Sequence, residues 1–405
     1  MSPILYICLP VLNEYENLPD LLKSFRLQSY QNFKLIVCVN QADEWWKHDE
    51  KLEICHDNAN SIKFLEESSD LDIHIIDRSS IGKGWIGKKK GVGWARKLSM
   101  DYASELGEKK DIILSVDADT YYPPDYFESI ISIFSNDKSF SAHSNPYFHR
   151  LTGKQEEDSA ILRYELYMRV YAINMLLISN PYAFSAIGSG MASSIENYTK
   201  IGGISPKASG EDFYFLQHMR KMAPLHQYNE VKVYPQARFS DRVNFGTGPA
   251  MIKGNSGDWS SYPFYPPPLF QQIKQSYNVF SKLFLKDIDF PMSEFLKKQL
   301  KKEDLWSPLR KNNKKEEKFI RACEELVDGL RILQYLKEKH TSYSKGDLED
   351  LRLNLKWFAE NDEEFASFYL DFSNTDTPLN KENMIILREE LTKLEYKYRR
   401  IQSLS

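Results

Sequence analysis

Asp111-Ile-Ile-Leu-Ser-Val-Asp-Ala-Asp-Thr120 is a short apolar run that stops at two carboxylates one residue apart. Ile112, Ile113, Leu114 and Val116 are continuous rather than alternating, the pattern of a strand buried on both faces in a parallel sheet. Asp117 and Asp119 then stand at its carboxyl end, where open α/β sheets bind their ligands. If the strand stays extended, alternate positions share a side, which sets the two carboxylates about 6–7 Å apart along the chain. Two hard oxygen donors there suit Mg²⁺ or Mn²⁺ carrying a diphosphate. Alone, an Asp-x-Asp ahead of Pro123-Pro124 is more often plain strand-to-helix punctuation, a turn or a cap. The surroundings decide between the two.

Upstream, Ile4 to Leu9 is a β-rich run ending at Pro10, and Asn13-Glu14 follow in a loop before a helical pattern carried by Leu18, Leu21, Leu22 and Phe25. Phe33 to Val39 predicts a second strand, Asn40 to Asn60 a polar loop bearing Trp45-Trp46, and Ile73 to Asp77 a third strand. Between Gly82 and Lys97 there are six basic residues and no acidic one. A solvated helix face mixes signs, so this stretch reads as a phosphate-binding loop as readily as a basic surface segment.

Downstream, Pro124 to Phe134 predicts a helix and Phe140 to Ser144 a fifth strand. Strands alternating with helices at this spacing give a doubly wound α/β layer with a mostly parallel sheet. Glu157 to Ile178 reads as a long helix ended by Asn180-Pro181. In Ala186-Ile-Gly-Ser-Gly-Met-Ala-Ser-Ser194 the absent side chains would let a ligand approach the backbone. Ile201 to Pro206 is a turn, and Ser209-Gly-Glu-Asp212 opens a helix through Arg220. Glu211 and Asp212 in a first helical turn are favoured by the macrodipole, which makes capping the plain alternative to function and predicts a lowered pKa for Asp212. Val231 to Pro235 is strand-like, and Arg238 to Gly248 supplies Arg238, Asp241 and Arg242.

From Ser260 the composition changes to a Pro- and aromatic-rich stretch, Tyr262 to Pro268, followed by charged helical periodicity. The boundary falls there, with an α/β domain over 1–260 and a mainly α-helical region over 261–405. Lys297 to Lys318 holds nine basic and four acidic residues, a solvated helix pair before it is a membrane-surface patch. Met384, Leu387, Leu391, Leu394, Tyr398 and Ile401 form a short heptad seam, which favours packing on the chain's own helices over a coiled-coil homodimer.

The 405 residues are 42% hydrophobic and 27% charged, with a net charge of −4, so there is no global basic field of the kind that attracts nucleic acid. The apolar stretch Ala172 to Ile178 is too short to span a bilayer, and the N-terminus lacks the basic region and cleavage site of a signal peptide. The expectation is a cytoplasmic protein whose membrane contact, if any, is peripheral at the inner face. Cys8, Cys38, Cys55 and Cys323 show no metal-ligand spacing and read as reduced core thiols.

These stretches together resemble an inverting, family 2-type glycosyltransferase of the GT-A fold over about residues 1–250. The resemblance rests on four elements in order: Leu9-Pro-Val-Leu-Asn-Glu14, Val116-Asp-Ala-Asp119, Gly188-Ser-Gly190 with Ile201-Gly-Gly203, and Gly210-Glu-Asp212. It implies a nucleoside-diphosphate sugar as donor, a hydroxyl acceptor and a divalent metal, Mn²⁺ or Mg²⁺. On it, Asp119 is the metal ligand, and Asp117 touches the ribose or a metal-bound water, with Ala118 between them in the donor site. Asp212 is the base, and Glu211 orients the acceptor or tunes its neighbour. Pro10, Asn13, Glu14, Asn40 and Asp77 line the nucleoside pocket, while Lys83 and Lys88 offset phosphate charge. Gly188, Ser189, Gly190, Arg238 and Arg242 lie on the sugar and acceptor side.

Two places depart from the family's pattern. After the second strand the chain reads Asn40-Gln-Ala-Asp43 where many relatives carry an acidic pair followed by Gly-Ser. Where some GT-A enzymes use a late histidine on the metal, it reads Arg238-Phe-Ser-Asp-Arg242, with Asp241 a substitute ligand. The rivals are a nucleotide-sugar-binding assembly protein without catalysis and a nucleotidyltransferase. Retention of Asp119, Glu211 and Asp212 argues against the first. Pro10-Val-Leu-Asn-Glu14, where the second would want a basic Gly-rich loop, argues against the other.

Overall fold

Seven consecutive buried residues, Leu5–Val11, form β1 in the interior of the main sheet. The computed structural model describes residues 2–87, 90–137, 139–207, 210–239, 246–374 and 378–404. Chain order continues with α1 (Leu18–Arg26), β2 (Phe33–Asn40), α2 (Leu52–Glu67), β3 (Ile73–Arg78), α3 (Val92–Leu106), β4 (Ile112–Ser115), β5 (Thr120–Tyr121) and α4 (Tyr126–Asn136). Then come β6 (Ala142–Ser144), α5 (Gln155–Leu177), β7 (Met191–Ser194), α6 (Ile195–Lys200), α7 (Glu211–Met222), β8 (Leu225–His226), β9 (Tyr234–Pro235) and α8 (Thr247–Asn255).

The main sheet runs β3-β2-β1-β4-β7-β6-β8. β1 pairs in parallel with β2 and β4, and β2 with β3, whereas β7 lies antiparallel to β4 and β6. This is the doubly wound, mostly parallel arrangement that the unbroken apolar runs require, since β1, β2 and β4 are buried on both faces. Beside it β5 and β9 make a two-stranded antiparallel sheet with Tyr121 opposite Tyr234. The loops after β1, β2, β3 and β4 all leave the carboxyl edge, so Asn13, Glu14, Asn40, Asp77, Asp117 and Asp119 gather on one rim.

Residues 52–67, within and beyond the expected polar loop, are helical. The buried face of α2 is Cys55, Asn58, Ser61 and Leu65, helically spaced but half polar, so a search for apolar periodicity passes over it. The four cysteines are free and buried. Among the described residues no helix is long and apolar enough to cross a membrane.

The chain divides into two compact units, residues 1–161 with 184–257, and residues 162–183 with 258–405. The second contains α9 (Pro267–Asn278), α10 (Phe280–Leu283), α11 (Ser293–Leu300), α12 (Trp306–Asn312), α13 (Glu316–Leu326), α14 (Gly329–Tyr343), α15 (Asp347–Asn361), α16 (Glu363–Phe372) and α17 (Lys381–Leu404). Its α5 segment joins this unit through polar contacts: Asn174 Nδ2 donates to Asn354 Oδ1 at 2.6 Å, and Arg169 Nη1 pairs with Glu395 Oε2 at 2.8 Å. Met384, Leu387, Leu391 and Leu394 of α17 are buried, whereas Ile401 is exposed.

Candidate active site

Arg96 is the buried centre of the first unit's rim. Its helix starts at Val92 and turns Gly93, Ala95, Arg96, Ser99, Met100 and Ala103 inward, so an arginine stands in a face of small and apolar residues. Nε donates to Glu211 Oε1 at 3.0 Å, Nη2 to Asp117 Oδ1 at 2.9 Å, and Nη1 to the Gly188 carbonyl at 3.1 Å and to Ser115 Oγ. A Cβ on Gly188 would lie 2.7 Å from Nη2, so the room left by the missing side chain is taken by the guanidinium, not by a ligand. Burial alone would lower the Arg96 pKa, but Asp117 and Glu211 together raise it.

Gly190 and Ser189 continue this wall. Tyr122 Oη accepts the Asp117 N–H at 3.0 Å and donates to the Ser189 carbonyl at 2.9 Å. Gly190 accepts from the Asn145 N–H at 2.8 Å as the chain enters β7.

Gly210, at φ 72°, supplies the left-handed turn that starts α7 and sets Glu211 and Asp212 in its first turn. Glu211 is buried against Arg96, while Asp212 keeps partial access to solvent. Asp212 Oδ1 accepts the Phe213 N–H at 2.8 Å. The lowered pKa expected from the helix dipole is overturned. Desolvation and the neighbouring Glu211 carboxylate push Asp212 up to about 7, outweighing the Phe213 hydrogen bond and Arg96.

The second aspartate has a different partner. β4 ends at Ser115, and the chain turns at 118–119 instead of staying extended. Asp117 therefore pairs with Arg96 and Asp119 with Arg238, whose Nη2 is 2.8 Å from Asp119 Oδ2, and the extended-strand argument for a shared side fails. Arg238 is delivered by the β5–β9 pairing, in which the Gln236 N–H donates to the Asp119 carbonyl at 3.0 Å. It also pairs with buried Glu14. Ala118, between the aspartates, is buried.

On the far side of the rim, Pro10 sits within β1 opposite Cys38, and Asn13 turns at φ 56° with its N–H donating to Asn58 Oδ1 at 2.9 Å. Asn40 is held at both ends of its amide: Nδ2 donates to the Val11 carbonyl at 2.9 Å, and Oδ1 accepts from Trp85 Nε1 at 3.0 Å. Asp77 Oδ1 accepts the Ser79 and Ser80 N–H groups, both at 3.0 Å, and Oδ2 pairs with Lys83 at 3.0 Å. Burial raises its pKa, but those N–H groups and Lys83 hold it well below the usual carboxylate range. The one-sided basic stretch is broken up. Lys83 pairs with Asp77, Lys90 with Glu44 and Lys97 with Asp101, while Arg96 is turned inward. Lys88, Asp241 and Arg242 lie outside the described residues.

Residues 6–189 match the family model described as glycosyl transferase family 2. The chain carries a family 2 glycosyltransferase region over those residues. The match takes in Pro10 through Asp119 and ends at Ser189, before the Glu211-Asp212 pair. No curated protein matches the sequence. Among solved structures, S. aureus TarS 1-349 in complex with UDP-GlcNAc is 10% identical, with 98% of this chain and 92% of that one covered, at a TM-score of 0.42. The mannosyltransferase PcManGT from Pyrobaculum calidifontis, in complex with GDP-Man and Mn²⁺, is 13% identical, covering 99% and 86%, at 0.41. Glucosyl-3-phosphoglycerate synthase from Mycobacterium tuberculosis, in complex with Mn²⁺, UDP-glucose and phosphoglyceric acid, is 16% identical, covering 63% and 80%, at 0.38. Likeness at this level identifies neither donor nor acceptor for this glycosyltransferase.

Its donor set can be tested against a divalent metal. Among the described residues no group of three or more His, Cys, Asp or Glu forms a closed cage. Mg²⁺ and Mn²⁺ are commonly held by one or two carboxylates plus substrate phosphates, and partly exposed Asp119, with Asp117 two residues away, suits that open mode. The glycosyltransferase thus fits a metal shared with its substrate. Arg96, Tyr122 and Ser115 were not singled out from the sequence. The one available signal was an arginine on an otherwise small and apolar helix face.

Proposed function

We propose that the protein transfers a sugar from a nucleoside-diphosphate sugar to an acceptor hydroxyl with inversion at the anomeric carbon, and that Asp212 is the base. The observation that carries this is the Arg96 bridge. It ties Asp117, inside the matched family region, to Glu211, outside it, so that Asp212 belongs to the same rim as the Asp-x-Asp pair.

In this reading the donor lies along the carboxyl edge, its nucleoside beside Pro10, Asn13, Glu14, Asn40 and Asp77 and its phosphates toward Asp119 and Lys83. Asp119 would hold Mn²⁺ or Mg²⁺, with Asp117 nearby and Asp241 a further candidate ligand, and the metal would supply positive charge for the diphosphate. The sugar and acceptor side is formed by the Gly188-Ser189-Gly190 wall and Arg238. Asp212 takes the acceptor's proton at its carboxylate. A base is most useful when its pKa lies near the working pH, and the raised value supports that assignment. Burial and the charge of Glu211, which Arg96 fixes in place, keep the proton affinity of Asp212 high. Every residue given a role in the chemistry falls within residues 1–260.

A panel of UDP-, GDP- and dTDP-sugars incubated with the full chain and Mn²⁺ tests the reaction class. Release of nucleoside diphosphate from at least one is expected, with an inverted product. Turnover only on addition of pyrophosphate, giving nucleoside triphosphate and sugar 1-phosphate, would make it a nucleotidyltransferase, and binding without turnover would make it an assembly protein.

A further inference from the structure

Arg238 occupies a position that a metal would contest. Its Nη2 lies 2.8 Å from Asp119 Oδ2, and the same nitrogen donates to Glu14 Oε1. The two carboxylates are not equally placed: the Glu14 side chain is 8% exposed and that of Asp119 20%. Glu14 is held from its other oxygen as well, where Asn17 Nδ2 donates at 2.5 Å. Both acids raise the Arg238 pKa against the lowering effect of burial, so the guanidinium stays charged between them.

Two cations drawn onto one carboxylate oxygen repel each other, and in a partly buried site water screens that repulsion poorly. A divalent ion that takes Asp119 must therefore loosen the Arg238 contact. Glu14 is the more deeply buried of the two carboxylates, so parting it from Arg238 costs more than parting Asp119, whose charge the incoming metal then neutralises. A guanidinium is also well matched to phosphate oxygens in planar, two-point contact.

We propose that Arg238 is an exchangeable resident cation: it holds Asp119 until a metal displaces it, then pivots on Glu14 onto the donor's diphosphate. The proposal rests on the assignment of Asp119 as metal ligand. It makes metal and diphosphate bind together, each favouring the other by the same factor. Metal alone binds weakly because the displaced guanidinium gives up Asp119 with no phosphate to take that carboxylate's place.

The test is Mn²⁺ binding to the full chain without nucleotide, read from the EPR signal of free Mn²⁺, followed by UDP and GDP binding in saturating Mn²⁺. Arg238→Gln should bind Mn²⁺ alone about fivefold or more tightly than wild type, yet bind its preferred nucleoside diphosphate about fivefold or more weakly. Arg238→Lys, which keeps the charge, should stay near wild type for Mn²⁺. Should loss of the cation beside buried Glu14 unfold the single variant, Glu14→Gln with Arg238→Gln removes both charges and carries the same Mn²⁺ expectation. A folded variant lacking Arg238 with Mn²⁺ affinity at or below wild type overturns the exchange. Asp119→Asn separates this from the underlying assignment. If it abolishes Mn²⁺-dependent nucleotide binding while Arg238→Gln leaves Mn²⁺ affinity unchanged, the ligand assignment stands and the exchange fails. If Asp119→Asn binds both as wild type does, the assignment itself fails.

Discussion

Arg96 Nε donates to Glu211 Oε1 at 3.0 Å, joining the start of α7 to the end of β4 through one buried side chain. Its other nitrogens hold Asp117, Ser115 and the Gly188 carbonyl. Arg96→Met would keep most of the volume and leave buried Glu211 without its cation, while Asp117, a third exposed, turns partly to water. Breaking a buried pair from one side costs about 3 kcal/mol, a large part of a domain's net stability. Urea unfolding should show that loss, and a variant as stable as wild type would mean that the bridge contributes little to the fold.

The neighbouring glycine tests the same contact from the opposite side. In Gly188→Ala the new methyl meets Arg96 Nη2 at 2.7 Å, so the guanidinium must shift away from Asp117. Overpacking of this kind costs about 1–3 kcal/mol. The larger effect expected is on turnover, because both acids lose their fixed position. Nucleoside diphosphate release should fall by about 10-fold or more, since small misplacements of reacting groups are expensive. Full turnover in Gly188→Ala would show that Arg96 geometry is not limiting.

Asp77 gives a stability effect with a definite sign. Its folded pKa is depressed below the ordinary aspartate value, so its contribution is complete above that ordinary value, about 4, and is lost as pH falls toward the folded one. Wild type should therefore destabilise more steeply below about pH 4 than Asp77→Asn, which has no proton to gain there. Thermal melts of the two at pH 7 and at acid pH check this. Parallel melting curves across that range would remove Asp77 from the acid sensitivity.

The sheet was legible because Ile112 to Leu114 and Leu5 to Leu9 are unbroken apolar runs, the pattern of strands covered on both faces. The candidate rim was legible because Asn13, Glu14, Asn40, Asp77 and the Asp117–Asp119 pair each follow a strand end. Pairings across the sheet were not. Arg96 lies 115 residues from Glu211 and Arg238 lies 224 from Glu14, and no local pattern encodes which cation reaches which acid. The Asp212 pKa was misread for a related reason. A helix N-terminus is visible in sequence, whereas desolvation and the facing Glu211 carboxylate depend on packing.

The measurement that bears most directly on the proposed mechanism is the rate of nucleoside diphosphate release by Asp212→Asn across pH. Asn keeps the size of Asp and an oxygen that can accept the Phe213 N–H but cannot take the acceptor's proton, so melting and nucleotide binding should stay near wild type. Wild-type turnover should rise with pH through about 7 as the raised carboxyl ionises. The Asn variant should be slower by at least about 10²-fold and lose that limb. A variant that releases nucleoside diphosphate at the wild-type rate, with the same pH profile, would contradict Asp212 as the base.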